Sequence, residues 1–223
     1  MCGRFTQRYT WREIADLYGL TGAARNLQAH YNIAPTDTVN VVKPGEDGAT
    51  ELAPMRWGLI PWWWKRPLKQ LPATFNARAE SVADKPLFRD AFKRRRCIIP
   101  VSGYYEWITQ ADGKQPYFIS AADSGVLSFA GLWDRWKNPE TGEPVASCTI
   151  IVTDANALTR PIHDRMPVIF HKADFGAWPN GEGGTELLRS AAEDSLRMWP
   201  VSRRVNKTGT GDNDPTLTSE VGA

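Results

Sequence analysis

The sequence has few cysteines and few histidines, and this shortage limits the kinds of site that it can form. Three Cys cannot all pair in disulfides, and Cys97 and Cys148 lie in apolar, strand-like runs. We therefore expect both thiols to be buried and reduced, which indicates a cytoplasmic protein. The three Cys and three His lack the spacing of zinc ligands, so we expect neither a metal nor a cofactor.

The sequence also lacks a charged leader before an apolar segment, and it has no long apolar run. Neither secretion nor insertion into a membrane is therefore indicated. The net charge is only +2, which is too small to predict a polyanionic partner from composition. Any basic surface must come from local clustering of Lys and Arg.

Tryptophan, in contrast, is unusually frequent, with ten among 223 residues. Trp fills cores, and it is also a flat surface on which a nucleobase can stack. The hydrophobic fraction of 42% is ordinary for a globular protein and predicts one domain, which we place at residues 1–206. Residues 207–223 are rich in Gly, Thr and Asp, and this composition predicts a flexible tail.

The pattern of apolar residues predicts more strands than helices. A capping box at Thr10 and Glu13 predicts a first helix over residues 11–20. Further helices are predicted at residues 86–95, 172–178 and 185–197, and strands at residues 38–42, 50–59, 97–108, 117–119, 126–133, 147–153 and 168–170. Because the spacing suits hairpins better than βαβ units, we expect an α+β fold. Its core would be a mainly antiparallel, barrel-like sheet with flanking helices.

The most unusual chemistry lies in the first five residues, Met-Cys-Gly-Arg-Phe. If Met1 is removed, Cys2 carries an α-amine and a thiol on adjacent carbons. Their pKa values are ordinarily about 7.7–8.0 and about 8.5, so a cation such as Arg4 would favour free amine and thiolate together. The amine can form an imine with a carbonyl, and the thiol can then close a thiazolidine ring. The alternative is an idle Cys in a frayed terminus, although Phe5 can anchor the segment.

Four polar residues lie in apolar or Pro- and Gly-bounded settings that favour a function. Asn76 and Arg78 are two residues apart, so in an extended chain they share one face. Glu106 lies between aromatic residues, where desolvation would raise its pKa and suit it to proton transfer. His163 lies in a loop predicted at residues 158–167 and titrates near neutral pH. Structural alternatives are a turn cap for Asn76, an ion pair for Glu106 and a backbone contact for His163.

A second candidate site is the stretch of residues 57–66, in which three adjacent Trp at 62–64 precede Lys65 and Arg66. Neighbouring side chains diverge, so three adjacent Trp cannot all enter one core, and we expect at least one to be exposed. Aromatic faces beside cations suit a single-stranded nucleic acid, because bases stack and phosphates are attracted. A Trp-rich packing corner is the alternative.

Together these stretches resemble the SRAP family, the SOS-response-associated peptidases or abasic-site processing proteins. The resemblance runs from Met1 to about Asn206, and its motifs are specific as an ordered set although each is weak alone. The motifs are MCGRF at 1–5, YNIAP at 31–35, WGLIPWWW at 57–64, FNARAE at 75–80, GYYEW at 103–107, TDAN at 153–156 and IHDRMP at 162–167.

The resemblance implies the SRAP fold and a covalent reaction with abasic sites in single-stranded DNA. Cys2, freed of Met1, would condense with the ring-opened sugar aldehyde and form a thiazolidine DNA–protein crosslink that protects the lesion. Asn76 would orient the Cys2 amine or the sugar, and Glu106 would move protons. His163 would hold or protonate the sugar oxygens and assist strand cleavage, a lyase reaction. The peptidase name fits self-removal of the residue before Cys2.

The resemblance also implies a surface for DNA. The phosphate clamps would be Arg4, Arg78 and Arg165, while Pro35, Trp63 and Trp64 would stack on or wedge against bases. We expect a monomer that acts in the SOS response and that associates with the nucleoid when DNA is damaged.

Two other functions are open alternatives. An N-terminal-nucleophile amidotransferase or peptidase can also begin Met-Cys-Gly, but Ile at position 4 and an Asn-Gly-Glu segment would then be expected, and neither is present. A non-catalytic single-stranded DNA-binding module would use the Trp, Lys and Arg residues and would not need Cys2.

Overall fold

The computed structural model describes residues 2–222, and within them strands make up most of the regular structure. The strands are β1 (Phe5–Gln7), β2 (His30–Ile33), β3 (Thr38–Pro44), β4 (Thr50–Trp57), β5 (Asn76–Arg78), β6 (Arg96–Val101), β7 (Gly103–Gln110), β8 (Gly113–Ala121), β9 (Leu127–Lys137), β10 (Pro144–Asp154), β11 (Arg165–Pro167) and β12 (Leu196–Pro200). The α-helices are α1 (Trp11–Tyr18) and α2 (Arg89–Arg94).

Five strands close into a barrel in the order β10, β4, β3, β6, β9 and back to β10. All neighbours are antiparallel except β10 and β4, which pair in parallel at Ser147 and Arg56. Beyond its short contact with β4, β10 pairs in parallel with β5 on the same edge, and beyond β9 it pairs with β11 on the opposite edge. The predicted α+β fold with a mainly antiparallel, barrel-like core is confirmed.

A second, antiparallel sheet has the order β12, β8, β7, β1, β2. Strand β1 is therefore an interior strand, with Phe5 opposite Tyr104 of β7 on one side and Ile33 of β2 on the other. This pairing holds the N-terminal segment between two strands that lie far from it in the sequence. Cys2, before β1, therefore packs among the core residues of the barrel.

The interior of the barrel is filled by apolar side chains from both sheets, including Phe5, Trp57 and Phe129. Phe5 packs edge-on against Trp57, with ring centroids 4.7 Å apart. Such an aromatic pair contributes about 0.5–1.5 kcal/mol beyond the burial of its area. Cys2, Cys97 and Cys148 are buried, free thiols, as predicted for the last two.

Local signals predict the first helix well. The capping box is present: Glu13 N–H donates to the Thr10 hydroxyl, and the Glu13 carboxylate accepts from the Thr10 N–H. The helix ends at Gly19, whose φ of 68° is in the left-handed region that favours glycine. Helix α2 is shorter than the predicted residues 86–95.

Residues 97–108, which the sequence assigns to a strand pair or to one long bent strand, form two strands, β6 and β7, in different sheets. Gly103 is the first residue of β7, and close packing requires glycine at this position. A Cβ at this position would lie 2.2 Å from Cζ of Phe118. The ring of Phe118 therefore requires glycine here.

Two predicted helices are wrong. Residues 172–178 and 185–197 form only 3₁₀ turns, at Lys172–Asp174, Thr185–Leu187 and Glu193–Ser195. The last two residues of the second segment, Leu196 and Arg197, instead begin β12, which pairs along β8 from Leu196 to Pro200. The local pattern of apolar residues does not show that β8 has an unpaired edge. That edge offers a full ladder of backbone hydrogen bonds to residues 196–200. Residues 168–170 likewise form only one isolated bridge, between Ile169 and Phe129.

In place of the predicted flexible tail, residues 207–222 pack against the remainder of the chain. Leu217 is 1% exposed and lies in a cluster with Tyr105 and Phe118. The Asp212 carboxylate accepts from the backbone N–H of Asn32 at 3.0 Å. Gly residues allow the tight turns that bring these groups back to the sheet, so a composition typical of disorder here forms a folded strap.

Within residues 2–222, no helix has the length and apolar character needed to cross a membrane.

Candidate functional site

Cys2 lies just before β1, with no solvent exposure, among the side chains that fill the barrel. Asn76, the first residue of β5, donates a hydrogen bond from Nδ2 to the carbonyl oxygen of Cys2 at 2.7 Å. Pairing of Asn76 with Ile150 of β10 holds the amide in place. The Oδ1 atom of Asn76 is buried and has no hydrogen-bond partner among the described residues. Asn76 thus fixes the N-terminal backbone and retains an acceptor for a new donor.

Glu106 lies in β7 and is 4% exposed. Burial raises its pKa to about 7. A carboxyl group with this pKa exchanges protons readily at neutral pH, as the sequence predicts for a residue between aromatics. The structure therefore places a proton donor and acceptor in the same buried region as Cys2.

Tyr104 was not a candidate in the sequence, yet the structure places it with Cys2 and Glu106. Burial raises the pKa of its hydroxyl, and the charges of Cys2 and Glu106 add to this rise, so the three groups are neighbours. Its hydroxyl is buried and has no hydrogen-bond partner within residues 2–222. The spacing of two residues from Glu106 on one strand, which puts both on one face, was the available signal.

The acidity of Cys2 differs from the prediction. Burial raises the pKa of its thiol well above the usual range, and the nearby Glu106 raises it further. The backbone N–H of Arg4 lowers this pKa, but burial raises it by more. In this environment the sulfur carries its proton, and a reaction must remove that proton as the sulfur attacks. The predicted removal of Met1 concerns a residue outside the described range.

Arg4 is 7% exposed and does not lie on the surface as a phosphate clamp would. Its guanidinium donates to Oδ1 of Asn32 at 2.6 Å, to the carbonyl oxygen of Val205 at 2.8 Å and to the hydroxyl of Thr208 at 2.9 Å. Burial lowers its pKa. Arg4 therefore fastens the strap of residues 207–222 to the N-terminal segment.

His163 lies in the loop between β10 and β11, partly exposed, as predicted for a loop residue. Burial lowers its pKa, so the ring is neutral near pH 7. Nδ1 lies 3.0 Å from the backbone N–H of Arg165 and 2.7 Å from the carboxylate of Asp164.

The two remaining predicted clamps flank β10. Arg78, on β5, is exposed and pairs in register with Val152. Arg165, on β11, bonds the carboxylate of Glu80 and lies 3.4 Å from Asp154. These partners raise the pKa of Arg165 and offset its charge. Arg78 is the better placed of the two to meet a phosphate, because it is exposed, whereas the Arg165 guanidinium is bonded to the Glu80 carboxylate.

The Trp-rich segment lies on the outside of the barrel. Trp63 and Trp64 are partly exposed, and their ring centroids are 6.1 Å apart. The predicted exposure of at least one Trp is confirmed, but the most exposed is Trp62, at 58%. Trp136 donates from Nε1 to the carbonyl oxygen of Trp64 at 2.6 Å and so ties the segment to β9.

Pro35 lines a cleft of about 160 Å³ with Trp57, Leu71 and Phe75. Phe75 directly precedes Asn76, so the cleft adjoins the strand that holds the Cys2 backbone.

Among the described residues, no group of three or more His, Cys, Asp or Glu side chains lies close enough to hold a metal ion. The chemistry that the site offers comes from Cys2, a carboxyl group with a pKa near 7, an amide and a phenol. These groups suit nucleophilic addition to a carbonyl with proton transfer.

A family model described as SOS response associated peptidase (SRAP) matches residues 1–208. The chain is 37% identical to abasic site processing protein YoqW of Bacillus subtilis, across 97% of this chain and 98% of that protein. It is 32% identical to abasic site processing protein HMCES of Xenopus tropicalis, across 84% of this chain and 65% of that protein.

Solved structures resemble the fold closely. A protein from Bacteroides thetaiotaomicron superposes with a TM-score of 0.87 at 27% identity, covering 98% of this chain and 99% of that one. A protein from Bordetella bronchiseptica superposes with a TM-score of 0.77 at 26% identity, covering 90% of this chain and all of that one.

Proposed function

The chain belongs to the SOS response associated peptidase (SRAP) family, and on that premise we propose that it captures abasic sites in single-stranded DNA as a covalent crosslink. The observation that carries this proposal is the meeting of Cys2, Asn76 and Glu106 in one buried site. The names of its relatives, abasic site processing proteins, support the lesion as substrate.

The reaction begins with removal of Met1, which frees the α-amine of Cys2. That amine adds to the aldehyde of the ring-opened sugar and expels water, so a C=N bond replaces the C=O bond. The Cys2 sulfur then adds to the imine carbon, and its proton ends on the nitrogen. The product is a five-membered thiazolidine, and the tether between amine and thiol favours closure.

Glu106 is the proton carrier in both steps. With a pKa of about 7, it is present as both acid and base near neutral pH. As an acid it protonates the departing oxygen during imine formation, and as a base it takes the thiol proton during ring closure. The second task matters because burial keeps the Cys2 thiol protonated before reaction.

Asn76 and His163 position the reactants. The bond from Asn76 Nδ2 to the Cys2 carbonyl fixes the nucleophile, while its buried Oδ1 accepts from the free amine. Neutral His163 donates from Nε2 to a sugar oxygen. In the imine, it assists loss of the 3′ phosphate by β-elimination, which is the lyase side reaction.

Recognition of an abasic site cannot use base edges at the lesion, so it depends on the backbone and on the vacant base position. Arg78 meets a phosphate, and Arg165 does so by exchanging its carboxylate partners. Trp63, Trp64 and Pro35 contact the bases on either side. Arg4 has a different task, because its guanidinium is occupied by Asn32, Val205 and Thr208.

The peptidase part of the family name fits self-removal of Met1, for which Glu106 and the Cys2 thiol are the available groups. The protein acts as a monomer in the SOS response, in the cytoplasm and on damaged DNA. We propose no peptidase activity on other proteins.

The test mixes the purified protein with a single-stranded oligonucleotide that carries one abasic site. We expect an adduct that survives heat and SDS, formed by the wild type and absent for Cys2→Ala. Intact mass should show loss of Met1 and a gain equal to the oligonucleotide minus water. Salt-sensitive binding without an adduct would support a binding module, and glutamine hydrolysis would support an amidotransferase; either result without an adduct rejects the proposal.

A further inference from the structure

Tyr104 carries a buried hydroxyl that the proposed reaction does not use. The residue is fully buried, and its hydroxyl has no hydrogen-bond partner within residues 2–222. A buried hydroxyl without a partner costs free energy, because folding removes its hydrogen bonds to water. Such a group in a native fold therefore needs an explanation, and a role in the chemistry is one.

The strand register places the side chain of Tyr104 in the core that surrounds Cys2. Tyr104 in β7 lies opposite Phe5 in β1, so the two side chains project from the same face of the sheet. Phe5, Cys2 and Tyr104 belong to one cluster of buried side chains. The backbone N–H of Tyr105 donates to the carbonyl oxygen of Arg4 at 2.9 Å, so the contact between the strands continues toward Cys2.

Packing and strand pairing together fix the ring of Tyr104. It packs edge-on against Phe129 of β9, with ring centroids 5.6 Å apart. Its backbone pairs with Phe5 on one side and with Ile119 of β8 on the other. Because the ring is held in this way, its hydroxyl needs little reorganisation to act as a donor during a reaction.

Glu106 follows Tyr104 by two residues in β7, so their side chains project from the same face of the strand. Burial raises the pKa of the Tyr104 hydroxyl, and the charges of Cys2 and Glu106 raise it further. The phenol therefore keeps its proton at neutral pH. It can donate a hydrogen bond to a neighbour, but it does not serve as a base.

The ring-closing step of the proposed reaction needs such a donor. In that step the Cys2 thiol gives its proton to Glu106, and negative charge develops on the sulfur until it bonds the imine carbon. Burial raises the pKa of this thiol, and the charge of Glu106 raises it further, so neither favours the thiolate. A fixed donor aimed at developing charge has a large effect in a buried site.

We propose that the Tyr104 hydroxyl donates a hydrogen bond to the Cys2 sulfur as the sulfur loses its proton and closes the thiazolidine ring. The thiol proton passes to Glu106 and then to the nitrogen of the former imine, while the phenol keeps its own proton. Imine formation uses the amine of Cys2, so Tyr104 acts on the second step alone. This inference rests on the proposed function for both steps.

The test is Tyr104→Phe, which removes the hydroxyl and keeps the ring. On a single-stranded oligonucleotide with one abasic site, we expect thiazolidine formation in a single turnover to slow by at least about tenfold. The imine should form at the wild-type rate and accumulate. The midpoint of urea unfolding should equal or exceed that of the wild type, because no hydrogen bond is lost, so a slower reaction would not reflect misfolding.

Sodium borohydride detects the accumulated imine. It adds hydride to the carbon of the C=N bond, the nitrogen takes a proton from water, and the product is a stable secondary amine. The thiazolidine has no C=N bond to reduce. The mass of the N-terminal peptide separates the two products, since the reduced imine carries an extra pair of hydrogens. We expect a larger reduced fraction in Tyr104→Phe than in the wild type.

Tyr9→Phe is the matched control. Tyr9 is also buried, but it lies in the core cluster of Ile14 and Val42, whereas Cys2 lies in the other large cluster. This variant should keep the wild-type rate and reduced fraction. A wild-type rate in Tyr104→Phe, or equal losses of imine and thiazolidine, overturns the role of Tyr104 and leaves crosslinking in place. Absence of any adduct with the wild type overturns the crosslinking function, and this inference with it.

Discussion

The amide of Asn76 and the carbonyl oxygen of Cys2 are joined by a hydrogen bond of 2.7 Å, although 74 residues separate them in the chain. The bond sets the position of the N-terminal backbone relative to β10. Any nucleophile presented by Cys2 therefore depends on the strand pairing of β5. Several consequences can be measured.

Replacing Asn76 with Ala should slow adduct formation by at least about tenfold, because the nucleophile is no longer held in an attacking geometry. Loss of the hydrogen bond should also lower the free energy of unfolding by about 1 kcal/mol. Single-turnover gel assays give the rate, and urea titration gives the stability. Asn40→Ala, on β3, is the control; a rate equal to the wild type in Asn76→Ala would remove the amide from the mechanism.

Glu106→Gln should slow adduct formation by about 10²–10⁴-fold, the usual contribution of a general acid–base group. The wild-type rate should change with pH around the Glu106 pKa of about 7, and the variant should lose this inflection. Rates measured from pH 5 to 9 on the abasic oligonucleotide test both statements. An unchanged profile in the variant would assign the inflection to another group.

The same carboxyl group makes stability depend on pH. Its pKa rises from 4.5 in the unfolded chain to about 7 in the fold, so the folded state binds more protons between these values. Stability should therefore fall as pH rises through this window, by up to about 3 kcal/mol. Glu106→Gln should flatten this dependence, as measured by urea unfolding at pH 5 and pH 8.

His163→Gln should reduce strand cleavage more than capture, because elimination needs a proton relay that imine formation obtains from Glu106. We expect a loss of cleavage of about 10²-fold. His30→Gln is a matched control, since His30 lies on β2 and bonds Asp212 away from Cys2. Equal losses of cleavage and capture would indicate that His163 only holds the sugar.

Leu217→Ala should destabilise the fold by about 2–5 kcal/mol, as expected for a buried leucine. A flexible tail would show no such loss. Val221→Ala, at a position 42% exposed, should change stability by less than about 0.5 kcal/mol. Urea unfolding of both variants distinguishes a packed strap from a loose end.

The sequence best predicts those structural features that depend only on residues close together in the chain. The capping box of Thr10 and Glu13 is local, and it is present in the structure. The helix predicted over residues 185–197 is wrong because the conformation of residues 196 and 197 depends on an edge of β8 that lies far away in the chain. The prediction of a flexible tail is wrong for the same reason, because residues 207–222 pack against Asn32 and Tyr105, which are distant in the sequence.

The site shows the same limit. Resemblance and local setting indicated Cys2, Asn76 and Glu106, and the structure brings them together. The sequence around Arg4 does not reveal that its guanidinium bonds Val205 and Thr208, which are about 200 residues away in the chain. It also does not reveal how deeply the Cys2 thiol is buried, because the depth of burial is a property of the whole fold. Among the three adjacent Trp, only the contacts with Asp134 and Trp136 decide which ring faces water.

Strand β1 pairs with β7 on one side and β2 on the other, so the N-terminal segment that carries Cys2 is part of an interior strand of the sheet. In the proposed adduct, the DNA strand is attached directly before this interior strand. A protease that requires an unfolded segment around Cys2 would first have to separate β1 from β7 and β2. The lifetime of such a conjugate would then depend on how fast the sheet opens. Heat or an unfoldase would affect its removal more than the exposure of the linkage does.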